Sequence, residues 1–396
     1  MKKCFYLVLF CWLSQTVFSQ HVLSGKVYDF NTGAILPSVS IYINNSSKGT
    51  TTNTNGEFVL DNISVSNFDI VASCVGYETF SVSITKDNLL TEFNIKLKSK
   101  SVELQSLILQ AYEKDGWNKW GRVFTESFIG LKHGITNCEI KNYKTIKFVY
   151  NKKAQTLAAY ADEPLIIVNK DLGYEVKYDL QNFLRNFKTG LIFYEGYPFF
   201  TNIDAREKKV RKWKAARLIA YNGSVLHFMR SIYRNKLQQE GFEIKVLVRY
   251  PNKEKERVKR IYKNLMVKKE GILEIIQNDS TAYYSSIIKQ SDSLDYIYPN
   301  AIQPDSVAYL IDKTAVGLGF NNHLQVTYNA LQDYANKMAS NNSQKQVSII
   351  SIINDGEISI FSNGSYYNPS NFFTEGYWAY SEKLNNLLPV DYEVGD

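Results

Sequence analysis

The side chains that could carry chemistry are few and dispersed along the chain. Four histidines occur, at His21, His133, His227 and His323. A catalytic zinc ion needs three protein ligands and one open position, and zinc hydrolases usually bring two of those ligands close together in sequence. None of these histidines begins a His-x-x-Glu or a His-Glu-x-x-His segment. We therefore expect no metal site and, since phosphate-loop and dinucleotide fingerprints are also absent, no cofactor site.

Serine and carboxylate chemistry is represented only by short motifs. Ser286 and Lys289 fit Ser-x-x-Lys, but no Ser-Asp-Asn and no Gly-x-Ser-x-Gly elbow occurs in the chain. We favour a surface helix or strand edge over a nucleophile here. Asp162 and Glu163 are adjacent carboxylates, whose side chains diverge on a strand, so a surface turn before Pro164 is the better interpretation. No residue is therefore predicted to be catalytic.

A hydrolase with an unfamiliar site in residues 112–396 remains the alternative. Its first candidates are titratable or polar side chains within or beside distinctive segments: Glu163, Tyr174, Tyr197, His227 and Arg230. A pocket in which such residues cluster would favour this alternative.

One segment, residues 206–217, is strongly basic. Arg206, Lys208, Lys209, Arg211, Lys212, Lys214 and Arg217 surround Trp213, and Glu207 is the only acid among them. Such a segment can contact an anionic partner, for example lipid headgroups or acidic glycans. It can also be a solvated helix face whose long stems cover apolar surface, and we favour that interpretation.

The first nineteen residues have the composition of a secretory signal peptide. Lys2 and Lys3 precede a short apolar run, and Val17-Phe18-Ser19 ends the segment with small residues at the positions that a signal peptidase reads. We expect export, a soluble mature chain beginning at Gln20, and a location in the periplasm or at the outer membrane. Removal of this segment lowers the formal charge from +7 by the two lysines. A mildly basic exported chain predicts no nucleic-acid partner.

Residues 20–98 have the pattern of a small all-β domain. Apolar residues alternate with polar ones in four short runs bounded by turn residues: Val39/Ile41/Ile43, Phe68/Ile70/Ala72, Phe80/Val82/Ile84 and Phe93/Ile95/Leu97. Asn55-Gly56 predicts a two-residue hairpin. Strands of this number and spacing predict a sandwich of about seven strands.

The same region resembles a known domain. Gly25-Lys26-Val27-Tyr28-Asp29, Asn55-Gly56-Glu57-Phe58 and Ser73-Cys74-Val75-Gly76-Tyr77 resemble the carboxypeptidase-regulatory-like domain of exported Bacteroidetes proteins. The resemblance implies a transthyretin-like β-sandwich. It is to the non-catalytic appendage of carboxypeptidases, and it implies no peptidase activity.

A linker at 99–111 and a larger α+β domain at 112–396 are predicted to follow. Helices are predicted at Trp117–Ile129, Asp204–Ala220 and Gly223–Gln239. Strands are predicted at Lys144–Tyr150, Thr156–Ala161, Leu165–Val168, Tyr174–Leu180, Ile244–Tyr250, Ile272–Gln277, Leu324–Tyr328, Gln346–Ile353 and Glu357–Ser362, with hairpins at Asp355-Gly356 and Asn363-Gly364. The fold class is thus mainly β and α+β.

Segments such as Trp117-Asn118-Lys119-Trp120 and Tyr194-Glu195-Gly196-Tyr197-Pro198 resemble a domain that accompanies the regulatory-like domain in many Bacteroidetes proteins. That resemblance implies lineage and no activity. We therefore expect a non-catalytic protein of the cell envelope, in which the sandwich is a docking or spacing module and the second domain binds or assembles with outer-membrane or envelope proteins.

Overall fold

The computed structural model describes residues 21–63, 67–85, 92–100, 112–130, 137–269, 272–275, 280–329, 345–353 and 356–396. They form two compact units, one comprising the chain up to Leu218 together with Lys383–Asp396, the other Ile219–Glu382. The predicted signal peptide 1–19, nearly all of the predicted linker 99–111, His133 and Asp355 lie outside the described residues. None of the helices within them is long and apolar enough to cross a bilayer.

The first unit begins with seven strands in two sheets, which confirms the predicted sandwich. The strands are β1 His21–Asp29, β2 Ser40–Ile43, β3 Gly49–Thr51, β4 Glu57–Ile63, β5 Phe68–Ser73, β6 Phe80–Ile84 and β7 Ile95–Leu97. One sheet has the order β4-β1-β7 and the other β3-β2-β5-β6. Val27, Ile41, Ile70 and Ile95 are fully buried in the shared core, where the alternation of the sequence placed them.

The turn at Asn55-Gly56 differs from the prediction. Gly56 has a φ of +69°, and its N–H donates to the carbonyl of Asn53. The turn joins β3 to β4, which belong to different sheets, so it is a corner between sheets and the predicted two-residue hairpin was wrong. The dipeptide indicated a reversal of the chain correctly, but the pairing of the flanking strands depends on the whole sandwich.

The rest of the first unit is a helix against an antiparallel sheet. The elements are α1 Gly116–Phe128, β8 Cys138–Ile140, β9 Ile146–Asn151, β10 Thr156–Ala161, β11 Leu165–Asn169, β12 Tyr174–Asn186, β13 Ile192–Asn202 and α2 Glu207–Tyr221, whose last turn lies beyond the unit boundary. The sheet order is β8-β11-β12-β10-β9, and β13 pairs with the other edge of β12. The long strand β12 therefore organises this sheet, because β11, β10 and β13 all hydrogen-bond to it.

Aromatic contacts attach α1 to this sheet. Phe124 and Phe128, one helical turn apart, are both fully buried. Their ring centroids lie 4.8 Å from Phe183 and 4.9 Å from Tyr178, respectively, both on β12. Offset and edge-to-face aromatic pairs of this kind stabilise a core beyond the area that they bury.

Within its described residues, the second unit contains eleven strands, three α-helices that lie wholly within it, and a short last helix. They are α3 Val225–Tyr233, β14 Phe242–Pro251, α4 Lys253–Leu265, β15 Met266–Lys269, β16 Ile272–Ile275, α5 Thr281–Ile288, β17 Ser293–Ala301, β18 Ala308–Leu310, β19 Ala315–Leu318, β20 His323–Tyr328, β21 Gln346–Ile352, β22 Ile358–Phe361, β23 Tyr366–Tyr367, β24 Phe372–Gly376 and α6 Tyr377–Ser381. Its sheets have the orders β17-β14-β20-β21-β24, β18-β19-β22-β23 and β15-β16. The hairpin predicted at Asn363-Gly364 joins β22 to β23 and is confirmed.

The helix predicted at Gly223–Gln239 is shorter in the structure. Ser224 caps it by accepting a hydrogen bond from the N–H of His227, and Phe228, Met229 and Ile232 are buried on one face. The helix ends at Tyr233, because Asn235 adopts a φ of +53°, which no helical residue has. The buried apolar face of the helix was predicted correctly, but the polar residues that follow it did not indicate where the helix ends.

Candidate functional site

The five candidates of the hydrolase alternative are divided between the two units. Glu163, Tyr174 and Tyr197 belong to the first, and His227 and Arg230 to the second. In the first unit each contacts a partner of its own. The Glu163 carboxylate accepts from Asn142 at 3.1 Å, and the Tyr197 hydroxyl lies 2.8 Å from that of Ser81. These contacts connect secondary-structure elements, and they bring no two of the three side chains together.

Tyr174 is buried beneath a guanidinium group. The Arg217 side chain lies 3.9 Å above the Tyr174 ring, and its Nε donates to the carbonyl of Leu172 at 2.8 Å. Burial raises the pKa of Tyr174 well above its usual range, and the charge of Arg217 opposes that effect only in part. Tyr174 is therefore a neutral packing residue at physiological pH.

His227 lies in a buried network of the second unit. Its Nδ1 accepts from the N–H of Gly223 at 3.1 Å, so the ring proton is on Nε2, 3.2 Å from the Glu240 carboxylate. Burial lowers the pKa of His227 to about 4, although Glu240 acts in the opposite direction. The imidazole is thus neutral at physiological pH.

Two neighbours on α3 complete this network. The hydroxyl of Ser231 lies 2.8 Å from the His227 carbonyl and 2.5 Å from Glu240, so it faces backbone and carboxylate oxygens and not the imidazole. The Nε of Arg230, which is 1% exposed, donates to the carbonyl of Asn363 at 2.9 Å. A Ser-His-acid arrangement needs the serine hydroxyl against the ring nitrogen. This geometry instead binds α3 to the segments after it.

The basic segment 206–217 divides into a buried and an exposed part. Trp213 and Arg217 are buried, and the Trp213 indole donates to the carbonyl of Lys170 at 2.8 Å. The remaining bases are exposed: Arg206, Lys208, Lys209, Arg211, Lys212 and Lys214. Trp213 and one of the seven bases, Arg217, therefore pack against the β11–β12 turn, and the other six bases remain exposed.

The serine motif lies on the surface. Ser286 and Lys289 are exposed at the end of α5, and the Ser286 hydroxyl donates to the carbonyl of Tyr283 at 2.7 Å. The chain also has a Lys-Thr-Gly, at Lys188–Gly190, and it forms the exposed turn between β12 and β13 in the other unit. Ser286 thus sits on the surface helix that the sequence favoured.

Cys74 and Cys138, the two cysteines of the described residues, form no disulfide bond in the structure. Cys138 is buried on β8, whereas Cys74, just after β5, is only partly buried and packs against the sandwich core. In the sequence Cys74 continues the alternation of Phe68, Ile70 and Ala72, which predicts a buried side chain. That prediction is wrong, because β5 ends at Ser73 and the chain turns away there. Within the described part of the chain, no group of three or more His, Cys, Asp or Glu side chains is arranged to hold a metal ion.

The sandwich is bound to the following domain by a backbone contact that we call the sandwich junction, formed by Asn44–Lys48, Tyr197–Phe200 and Val390–Asp391. The N–H of Asn45 donates to Pro198 at 2.8 Å, and the N–H of Phe200 donates to Ser46 at 2.9 Å. The N–H of Val390 donates to Asn45 at 2.7 Å. The loop between β2 and β3 is thus held on both sides.

Side chains extend the sandwich junction. Asp391 accepts from both the N–H and the hydroxyl of Ser47, at 3.0 and 2.6 Å. Beyond the loop, the Asp179 carboxylate on β12 accepts from the hydroxyls of Ser73 and Thr79. No periodicity or motif in the sequence predicts this contact, because its residues lie far apart along the chain.

The comparisons with known proteins agree with the family resemblance of the N-terminal domain. Residues 23–109 match the family model of the CarboxypepD_reg-like domain, which confirms the resemblance in the sequence. Among solved structures, a crystal structure of a Bacteroides fragilis protein described as membrane-associated and of unknown function is 9% identical. The match covers 86% of this chain and 93% of that one with a TM-score of 0.16, too low to carry an argument. The comparison with curated proteins gave no match.

Proposed function

We propose that this chain is an exported, non-catalytic protein of the cell envelope, whose sandwich is a docking and spacing module for a binding or assembly domain. The observation that carries the proposal is the sandwich junction: the regulatory-like domain is attached to the next domain by three backbone hydrogen bonds. Because backbone bonds and the Asp391 contact hold one loop from two sides, the sandwich has a defined position within the first unit. A module held in this way can set the distance between a docked partner and the domain that follows the sandwich.

Some apolar side chains of the sandwich surface are exposed. Val59 on β4 and Val75 after β5 are 58% and 70% exposed. We propose that the partners are outer-membrane or other envelope proteins, and that the six exposed bases of residues 206–217 add contact with an anionic surface. Export itself rests on the predicted signal peptide 1–19.

Cell fractionation tests location and role together. The full chain is produced in its native host cells with a photo-crosslinking amino acid at Val59. The matched control carries the same amino acid at Tyr42 on β2, which is buried. We expect a mature N-terminus at Gln20, recovery with the envelope, and a cross-link to an envelope protein from Val59 but not from Tyr42. An uncleaved chain in the cytoplasm contradicts the proposal.

The hydrolase alternative is tested on the purified mature chain with ester, peptide and glycoside substrates and with metal analysis. We expect no turnover and no stoichiometric zinc. Turnover that Glu163→Gln or His227→Gln abolishes, while Lys212→Gln on the exposed face of α2 retains it, would establish the alternative instead.

A further inference from the structure

Lys383 is a buried cation without an anionic partner. It opens the C-terminal segment of the first unit and is 9% exposed. Its Nζ lies 5.6 Å from the ring centroid of Tyr194 on β13. Within the described part of the chain no carboxylate pairs with it. Burial of an unpaired ammonium is costly, and native proteins normally place a counter-charge beside it.

A second cation faces the same region. Arg185 lies on β12, two residues after Phe183, and therefore on the sheet face that α1 covers. Its NH1 donates to the hydroxyl of Ser127 at 2.5 Å, and its guanidinium lies 5.3 Å from the Phe187 ring. No carboxylate of the described residues pairs with Arg185 either, and it is close enough to Lys383 to repel the ammonium charge.

The negative end of α1 does not supply the missing partner. Its last carbonyls, those of Phe128 and Ile129, already accept from the N–H groups of Leu384 and Asn385, at 3.3 and 2.9 Å. Gly130, at a φ of +85°, lets the C-terminal segment approach so closely that a Cβ there would lie 2.7 Å from that of Lys383. Three elements thus converge on two cations, and the carbonyls of Phe128 and Ile129 are already hydrogen-bonded to the C-terminal segment.

The titration of Lys383 agrees with this geometry. Burial, and to a smaller extent the charge of Arg185, together lower the pKa of Lys383 to about 8. A neighbouring anion would reverse both effects.

We propose that Lys383 and Arg185 form a binding site for an oxyanion, a carboxylate or phosphate group, between α1, the β12–β13 pair and the C-terminal segment. The Arg185 fork offers paired donors, and Lys383 offers a point charge in a partly dehydrated position. The Tyr194 ring lies on the same sheet face beside Lys383. The Ser127 hydroxyl donates to the Val123 carbonyl and accepts from Arg185, so it orients the guanidinium. The site does not depend on whether the protein is exported or on its envelope partners.

The test measures thermal unfolding of the full chain in inorganic phosphate, in acetate and in chloride at constant ionic strength, together with calorimetric titration of the two oxyanions. We expect a saturable rise in the unfolding temperature with an oxyanion and none with chloride. The comparison of phosphate with acetate decides which group the site prefers. Lys383→Met and Arg185→Gln should each weaken binding at least tenfold, whereas Lys383→Arg should retain it.

Lys188→Met, which removes an exposed cation from the nearby β12–β13 turn, is the matched control and should bind as the parent chain does. Lys383→Met is expected to fold, since it removes an unpaired buried charge. If it does not fold, Arg185→Gln and Lys383→Arg decide. Equal stabilisation by chloride, no stabilisation by either oxyanion, or unchanged binding in the Arg185 and Lys383 variants would overturn the proposal.

Discussion

Two buried titratable side chains, His227 and Lys383, differ in whether their surroundings satisfy them. The imidazole of His227 has a hydrogen-bond partner for each ring nitrogen, Gly223 and Glu240. The ammonium of Lys383 faces a tyrosine ring and a second cation. The first arrangement satisfies a neutral group inside a core, and the second leaves a charge that an external anion can satisfy. Residue type alone does not distinguish them.

His227 makes the stability of the second unit dependent on pH. Its folded pKa, about 4, lies below its ordinary value of 6.5. Between these values the unfolded chain binds a proton that the folded chain does not, so stability falls as pH falls from about 6.5 to 4, by on the order of 3 kcal/mol at most. Denaturant unfolding of the parent and of His227→Gln between pH 7 and 4 measures this.

The pH dependence of the unfolding free energy should be shallower in His227→Gln than in the parent chain. A parent slope that survives in His227→Gln would show that another group causes it.

The two thiols should differ in reactivity. Cys74 is partly buried, and burial raises the pKa of its thiol; Cys138 is buried more deeply. Alkylation of the native mature protein followed by mass spectrometry should label Cys74 slowly and Cys138 only after unfolding. A peptide linking Cys74 to Cys138 that disappears on reduction would contradict this prediction.

At the scale of elements, α2 depends on a turn that only glycine permits. The turn between β11 and β12 places Gly173 at a φ of +73° directly beneath Trp213. A Cβ at Gly173 would lie 2.2 Å from the indole, which cannot retreat easily because its nitrogen is bonded to the Lys170 carbonyl. This contact, more than the charges of residues 206–217, determines where α2 lies in the first unit.

Gly173→Ala should therefore destabilise the first unit strongly. Backbone strain at positive φ costs about 1–2 kcal/mol, and the clash with Trp213 adds about 1–3 kcal/mol. Gly190→Ala is the matched control, because Gly190 also has a positive φ, +78°, but nothing lies within 4 Å of its added Cβ. Chemical denaturation measures the loss in the free energy of unfolding of each variant, and the difference between the two losses is the contribution of the clash with Trp213. Equal losses would mean that Trp213 yields to the new methyl group.

At the scale of the whole molecule, the sandwich is part of a larger compact unit. Tyr42 and Ser46, 4% and 1% exposed, are buried against the domain that follows. The C-terminal residues Val390 and Asp391 contact the same loop. The first and last described segments of the chain therefore stabilise each other, and truncation at either end should affect both.

The fragment Gln20–Lys98 should nevertheless fold alone as a β-sandwich, because its core is internal to its seven strands. Circular dichroism should show a β spectrum with cooperative melting. The amide of Asn45, which donates to Pro198 in the full chain, should exchange rapidly in the fragment, while Ile41 and Ala72, paired within the sandwich, stay protected in both. A helical or unfolded spectrum would refute the independent fold.

Local pattern was enough to predict several elements closely. Strand β10 was predicted to the residue and β11 and α1 to within one, since each has an unbroken alternation or apolar stripe. Strand β13, helix α4 and the edge strand β17 were not predicted. In β17 nearly every residue is exposed, so no buried face imposes a period on its sequence.

The sequence by itself determined the N-terminal sandwich, its family resemblance and the local elements, because periodicity reports which face of a segment is buried. Only the tertiary structure decided what covers each face. In the structure the sandwich contacts β13 through the sandwich junction, and Lys383–Asp396 belong to the first unit. Lys383 lies near Arg185. Such contacts close long loops, and the packing of the whole unit offsets the entropic cost of closing them. No short stretch of sequence therefore predicts them.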